Sequence, residues 1–490
     1  MTTTHVLATP PRVEAGAHRR RTKILATLGP ATDPPGVLEA MIDAGLDAVR
    51  INCAYDGPSE WAERVRRTRE AAEAAGRPVA VLADLAGPKL RLPRGVAERE
   101  VSPGEEVVFS PDGGRTDAVA CAWPELTAAV VPGRSEILIG DGTPRLRVTE
   151  VQPDGCVAAV VTRGGRIAPR KGFFVTFATG GAASLTEKDL EDLDAVCRLE
   201  PEFVALSFVR SAEDVRRLRH ELGLRESRAR VVAKIEKVEA CLGLAEILIV
   251  ADGVMVARGD LGVEAGVARV PVLQKQIIHR ATLDGKLVVT ATQMLESMID
   301  RPEPTRAEAA DVANAVMDGT SALMLSAETT VGRHPVAAVT AMAEIAVQAE
   351  LADRPYHLDI EASQATVSES VLQSAAHLAE QLDAAALVIP TTSGGAARAV
   401  AKYRPSRPVV ALCLDTLVRG QLALEWGVVP AMLGAETPTV ERLVEVSVAR
   451  ARAAVGLRDG DTVVVTSGRR IATTGSTNLI QVLRLGAPPV

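Results

Sequence analysis

The chain has 490 residues, 47% of them hydrophobic but only 2% aromatic, which suits two or three domains with cores of Ala, Val, Leu and Ile. That composition favours parallel sheets covered by helices over Tyr- and Trp-rich sandwiches, and it offers few stacking platforms for single-stranded nucleic acid. A formal net charge of −7 excludes the basic footprint of a nucleic-acid or anionic-membrane binder.

In chain order, residues 1–19 read as a loose polar tail without the apolar core of a signal peptide. The runs Lys23–Leu28, Ala48–Asn52 and Val79–Asp84 then predict three strands, separated by stretches with helical spacing. From residue 89 to 171 the text changes to short β-like runs between Pro and Gly turns, at Glu106–Phe109, Glu136–Ile139, Arg145–Val151 and Gly155–Val161. This segment reads as a small all-β domain inserted in a loop, placed to act as a lid. Phe203–Ser207, Val231–Ile235, Ile247–Ala257 (broken at Asp252-Gly253), Leu287–Ala291 and Ala322–Leu325 supply five further strands. Eight βα units over 20–88 and 172–354 predict a (β/α)8 TIM barrel. Beyond residue 355, Ala384–Pro390, Val409–Leu412, Gly427–Pro430 and Thr462–Thr466 predict a separate α/β domain over 355–490. Six cysteines (53, 121, 156, 197, 241, 413) lie far apart with no CxxC pair, as reduced thiols of a cytoplasmic protein do. No apolar run reaches 18 residues, so no membrane span is expected.

Polar residues collect just past the predicted strand ends, where a barrel builds its active site. They include Arg50 and Asn52, Asp84, Ser207, Lys234 and Glu236, Arg258–Asp260, Thr292, Ser326 and Glu328. Strand alternation puts Lys234 and Glu236 on one face. A structural ion pair is the plain reading. The functional one is an ammonium facing a phosphoryl group and a carboxylate holding a divalent metal, with Asp260 as second carboxylate. A helix beginning near Leu261 would present amides around Gly259–Asp260 to a substrate carboxylate; a capped Gly-Asp turn is the plain alternative.

At these residues the chain resembles the pyruvate kinase family. The shared stretches include FVALSFVR (Phe203–Arg210), Lys234-Ile235-Glu236, MVARGDLGVE (Met255–Glu264), ATQMLESMI (Ala291–Ile299) and PTRAE (Pro304–Glu308). The resemblance implies a barrel, an inserted small β-barrel lid and a C-terminal α/β domain, in a homotetramer. It implies phosphoryl transfer from phosphoenolpyruvate to ADP, giving pyruvate and ATP. Lys234 would stabilise the transferring phosphoryl group, and Glu236 and Asp260 would bind Mg²⁺ or Mn²⁺. The Ala257, Arg258, Gly259 and Asp260 backbone and Thr292 would hold the phosphoenolpyruvate carboxylate, and Arg50 and Arg91 would contact phosphate. Thr292, Ser326 and Glu328 match a water-linked proton relay to the enolate.

Most members of the family need K⁺, and here its oxygen ligands are depleted. Ala54 replaces a serine, Leu85 a threonine, and Lys89 stands in place of a glutamate. An ammonium at Lys89 would take the cation's place, with Asn52 and Asp84 as acceptors; an exposed lid-hinge lysine is the plain alternative. Lysine is scarce, nine among 55 basic residues, which draws attention to Lys89, Lys171 and Lys234. Thr391, Thr392, Ser393, Gly394 and Gly395 resemble the family's effector loop for a phosphorylated metabolite, with Gly475–Asn478 as a second wall; a plain capped turn is the alternative. Two other functions compete: a non-catalytic sensor of phosphorylated metabolites, and another phosphoenolpyruvate barrel enzyme. Retention of Arg50, Lys234, Glu236, Asp260 and Thr292 argues against the first, the inserted lid against the second.

Overall fold

The computed structural model describes residues 20–88, 90–140, 142–176, 184–352, 366–434, 440–468 and 477–486. The tail before residue 20, Lys89 and Gly475-Ser476 lie outside the described residues.

Eight parallel strands close a barrel: β1 (Lys23–Thr27), β2 (Ala48–Asn52), β3 (Ala80–Asp84), β4 (Phe203–Leu206), β5 (Arg230–Ile235), β6 (Gly253–Ala257), β7 (Leu287–Ala291) and β8 (Ala322–Leu325). Each pairs with its neighbours in sequence, and β8 returns to β1 with Lys23 opposite Ala322. Both faces of the strands are buried, which is why they read as continuous apolar runs. One expectation fails. The run from Ile247 does not begin a strand: Leu244–Val250 is a helix, and β6 starts only at Gly253. A short apolar run does not distinguish the two periodicities; the helix buries Ile247 and Leu248 and exposes Ile249.

Inward side chains such as Leu82, Phe203, Met255 and Val289 fill the barrel, joined by Ala423 and Leu424 from the C-terminal domain. The two bodies are also tied through the backbone. Lys23 Nζ donates to Val428 O at 2.8 Å, and Gly427 N–H donates to Arg21 O at 2.9 Å.

The inserted segment is sheet-rich, as expected. Its strands form a six-stranded sheet in the order Phe173–Val175, Glu136–Ile139, Arg145–Val151, Val157–Arg163, Glu106–Ser110, Val119–Ala120. A two-stranded ribbon joins Arg99–Val101 to Gly165–Ile167. Among the described residues these ladders do not close into one ring. Phe173, in the sheet past residue 171, packs at 5.5 Å from Phe109 and 6.5 Å from Trp123, ring centre to ring centre. Three of the scarce aromatics thus meet in the lid core.

The C-terminal domain has a five-stranded sheet: β9 (Ala386–Thr391), β10 (Val409–Cys413), β11 (Val428–Met432), β12 (Thr462–Gly468) and β13 (Thr477–Arg484), in the order β11-β10-β9-β12-β13. The first four match the predicted strands to within two residues or so at their ends. The fifth, β13, was not foreseen; it runs antiparallel at the edge, with mixed exposure that hides its period. Among the described residues, no helix is long and apolar enough to cross a membrane.

Candidate active site

The strand ends converge on a buried charge cluster. Lys234, on β5, points its ammonium to Ser207 Oγ at 2.7 Å, Glu236 Oε1 at 3.0 Å and Asp84 Oδ1 at 3.3 Å. Arg50, on β2, donates from Nε to Asp84 Oδ2 at 2.7 Å and from Nη1 to Thr27 Oγ1 at 3.1 Å. Glu236 Oε2 accepts the Phe208 N–H at 2.6 Å. Parallel pairing places Asn52 beside Asp84 and Arg50 beside Leu82, so residues far apart in sequence share one end of the barrel.

Each group's charge state follows from its neighbours. Burial works against the ammonium of Lys234, but Asp84 and Glu236 overcome it and raise its pKa. Burial also opposes the Asp84 carboxylate, but Lys234 and Arg50 outweigh it and hold its pKa below the ordinary value. At Glu236 burial prevails: its pKa is raised, with Asp260 adding to the rise and Lys234 opposing it. Asp84, expected as an acceptor for a monovalent cation or its lysine substitute, is therefore engaged by Arg50 and Lys234. Asn52 Oδ1 accepts the Ala54 N–H at 3.1 Å. Lys89, the proposed substitute, is outside the described residues.

A second group stands beside the first. The helix Arg258–Ala265 starts three residues earlier than expected, so Arg258, Gly259 and Asp260 form its first turn. Gly259 N–H donates to Thr292 Oγ1 at 2.9 Å. Thr292 adopts φ 68°, unusual for a β-branched residue. Arg258 holds it there: Nη2 donates to Thr292 O at 2.7 Å and to Gln293 O at 2.8 Å, while Nη1 pairs with Asp311 at 2.6 Å. The Arg258 side chain thus positions backbone. This role, like the Ser207 bridge, was missed from sequence. The only signal was that Arg258 lies in MVARGDLGVE and Ser207 in FVALSFVR, two stretches shared with the family.

Glu328 is buried, and its oxygens accept the Leu295 N–H at 3.1 Å and the Ser326 N–H at 2.7 Å. Ser326 Oγ is buried without a partner, which suits a bound water. Arg91 lies apart from the buried cluster, exposed on the lid side, its Nη1 donating to Arg170 O at 3.2 Å. A cleft of about 1550 Å³ runs between lid and barrel, lined by Arg91 and Lys171 on one side and by Arg258, Gly259, Asp260 and Gln293 on the other. Asp260 lines this cleft, and its charge is felt by the buried Glu236. Among the described residues no three His, Cys, Asp or Glu side chains gather as a ready-made metal site, so a metal here would complete its shell with substrate and water oxygens.

The loop after β9 lies far from this cluster in sequence. Thr391 Oγ1 accepts the Gly394 N–H at 3.0 Å, Gly394 has φ 78°, and Arg398 Nη2 donates to Ser393 O at 2.6 Å. Burial pushes the Arg398 guanidinium down to about 10, and its Nη1 has no partner.

Residues 19–339 match the family model described as pyruvate kinase, barrel domain, and residues 369–483 match the one described as pyruvate kinase, alpha/beta domain. The chain is 40% identical to the pyruvate kinase of Geobacillus stearothermophilus, over 95% of this chain and 80% of that protein. It is also 40% identical to the pyruvate kinase of Mycobacterium tuberculosis, over 96% of this chain and 100% of that one. A third relative, the pyruvate kinase of Methylorubrum extorquens, is 39% identical over 94% of this chain and 97% of its own.

Proposed function

The chain belongs to the pyruvate kinase family, and on that premise we propose how its own residues transfer the phosphoryl group of phosphoenolpyruvate to ADP, giving pyruvate and ATP. The observation that carries the reading is the buried Lys234 ammonium, held between Asp84 and Glu236 at the strand ends, beside the Gly259–Thr292 loop. Phosphoryl transfer asks little covalent work of a protein, so positioning and charge stabilisation dominate. Lys234, kept cationic by its two carboxylates, stabilises charge on the moving phosphoryl group. Arg50, braced by Asp84, and Arg91, from the lid, contact phosphate oxygens. The Ala257–Asp260 backbone and the Thr292 hydroxyl hold the substrate carboxylate.

Glu236 and Asp260 would hold a divalent cation, because burial, with the Asp260 charge adding to it, disfavours a bare Glu236 carboxylate, and a bound metal would offset that cost. Mg²⁺ or Mn²⁺ held by these two carboxylates would supply charge neutralisation for the phosphoryl oxygens. The enolate left behind takes its proton through Thr292, Ser326 and a water that the unpartnered Ser326 Oγ holds, with Glu328 fixing the Ser326 backbone. Closure of the lid, 89–171, over the barrel, 20–88 and 172–354, excludes water and suppresses hydrolysis.

Lys89 makes the enzyme independent of K⁺. The loop Thr391, Thr392, Ser393, Gly394 and Gly395, in the C-terminal domain 355–490, takes a phosphorylated effector; the unpartnered Arg398 Nη1 next to Gly394 supports this. The resemblance to the family implies a homotetramer, and Leu242, Ile249 and Val267 are exposed apolar side chains that a subunit interface would cover. The enzyme works in the cytoplasm.

The test is pyruvate formation from phosphoenolpyruvate with ADP and Mg²⁺, with Lys234→Met alongside. Turnover by the wild type and its loss in the variant are expected. A folded wild-type chain that binds phosphoenolpyruvate but forms no pyruvate would overturn the reading in favour of a sensor.

A further inference from the structure

We infer that Arg145 and Arg163, on the lid wall of the cleft, bind the diphosphate of the acceptor nucleotide; this rests on reading the chain as a phosphotransferase that uses ADP. The strands Arg145–Val151 and Val157–Arg163 pair antiparallel. Leu146 stands opposite Val161, and both are buried in the lid core. The next pair is Arg145 opposite Arg163, with Thr162 skipped by a bulge. Regular alternation would send Arg163 to the same face as Val161, into the core. The extra residue turns it to the other face, beside Arg145, as bulges near binding sites do.

The result is two like charges directly opposed across a ladder, an arrangement that destabilises a sheet. Compensation is partial. Arg145 Nη1 lies 3.3 Å from Glu136 Oε2, while the exposed Arg163 has no ion pair or hydrogen bond from its side chain among the described residues. Both arginines line the cleft that also contains Arg91, Lys171 and Asp260. Among the described residues, the lid wall of that cleft carries five cations, Arg91, Arg145, Arg163, Arg170 and Lys171, and no carboxylate. The barrel wall is mixed but net acidic, with Asp260, Glu296, Asp311 and Asp318 against Arg258 and Lys275, which pair with Asp311 and Asp318. A polyanion whose charges face the lid, and whose reacting end faces the barrel, matches this polarity. Guanidinium forks match phosphate oxygens in geometry as well as charge. The like-charge pair is thus satisfied only when the acceptor is bound.

The experiment compares the full-length protein with Arg163→Gln, Arg145→Gln and the double variant. At saturating phosphoenolpyruvate, KM for ADP is expected to rise about tenfold for each single change, the scale of one charge-assisted hydrogen bond to a partly solvated group. KM for phosphoenolpyruvate should stay within about twofold and kcat should be retained, since neither arginine is asked to touch that substrate. Calorimetric binding of ADP with Mg²⁺ should weaken in parallel. Tm of Arg163→Gln should hold or rise, because a like-charge pair has been relieved. An unchanged KM for ADP, or a fall in Tm with both KM values rising together, would overturn the inference. If the wild type makes no pyruvate, the reaction itself is misread, and the calorimetry still decides whether these arginines bind the nucleotide.

Discussion

Thr292 accepts the Gly259 N–H at 2.9 Å and so joins the residue after β7 to the helix after β6. The bond spans two separate βα units and fixes the turn proposed to receive a carboxylate. Thr292→Val keeps the shape but removes the acceptor, leaving a partly buried N–H unpaired at a cost of about 1–3 kcal/mol. We expect a rise in KM for phosphoenolpyruvate of tenfold or more, on the order of that energy, and near-normal behaviour of Thr292→Ser. Steady-state kinetics of the two variants provide the check; equal damage from both would refute it.

Removing Lys234 strands two buried carboxylates. Lys234→Met should lower kcat by roughly a thousandfold, as loss of a main source of transition-state charge stabilisation does. It should also cost about 3–5 kcal/mol of stability, because Asp84 and Glu236 lose their shared cation. The double variant Lys234→Met, Asp84→Asn should regain part of the stability and none of the activity. Denaturant unfolding beside turnover separates the two effects.

Asp47 predicts a pH dependence of stability. Its carboxylate pairs with Arg20 at 2.8 Å and Arg77 at 3.0 Å, and accepts the Ile24 N–H at 2.9 Å. Burial alone would raise its pKa, but Arg20, Lys23 and Arg77 outweigh it and hold the pKa below the ordinary 3.8. A depressed carboxyl contributes its full stability above the unfolded value, and loses it as pH falls through the folded one. The wild type should therefore lose stability steeply below about pH 4, and Asp47→Asn, already weaker at pH 7, should show a shallower slope there. Thermal melts from pH 7 to pH 3 give the comparison.

Gly420, in the helix Thr416–Ala423, lies against the barrel floor, where an added Cβ would come within 2.5 Å of Glu202 Oε1. Glu202 has no room to yield, because Arg69 holds both its oxygens and Val81 N–H donates to it at 2.6 Å. Gly420→Ala, normally favourable in a helix, should here destabilise the protein by about 1–3 kcal/mol through overpacking. A lower Tm is the expected reading; an increase would mean that the C-terminal domain does not press on the barrel.

Independence from K⁺ is expected from Lys89. With K⁺ and NH₄⁺ replaced by a bulky organic cation at constant ionic strength, the rate should fall by less than about twofold, since the fixed ammonium replaces the ion's charge. A large loss restored by KCl would reject it.

Much of this protein follows from local pattern alone. Continuous apolar runs at regular intervals specify eight doubly buried strands. The same period puts Lys234 and Glu236 on one face, and Pro- and Gly-punctuated text marks the lid. The helix Leu244–Val250 was misread because a short apolar run carries no clear period, and β13 was missed because an edge strand need not alternate. What only the tertiary structure decided is partnership. Asp84 reads as a cation ligand from its position, yet closure of the barrel brings Arg50 and Lys234, from strands 34 residues before and 150 after it, onto its two oxygens. Arg258 reads as part of a substrate loop, yet its side chain secures the backbone of Thr292. Nothing in the sequence singles out Arg163; a bulge in the folded lid places it opposite Arg145. Composition and periodicity act through neighbours along the chain; electrostatic roles are set by neighbours in space, and those exist only once the barrel is closed and the lid folded.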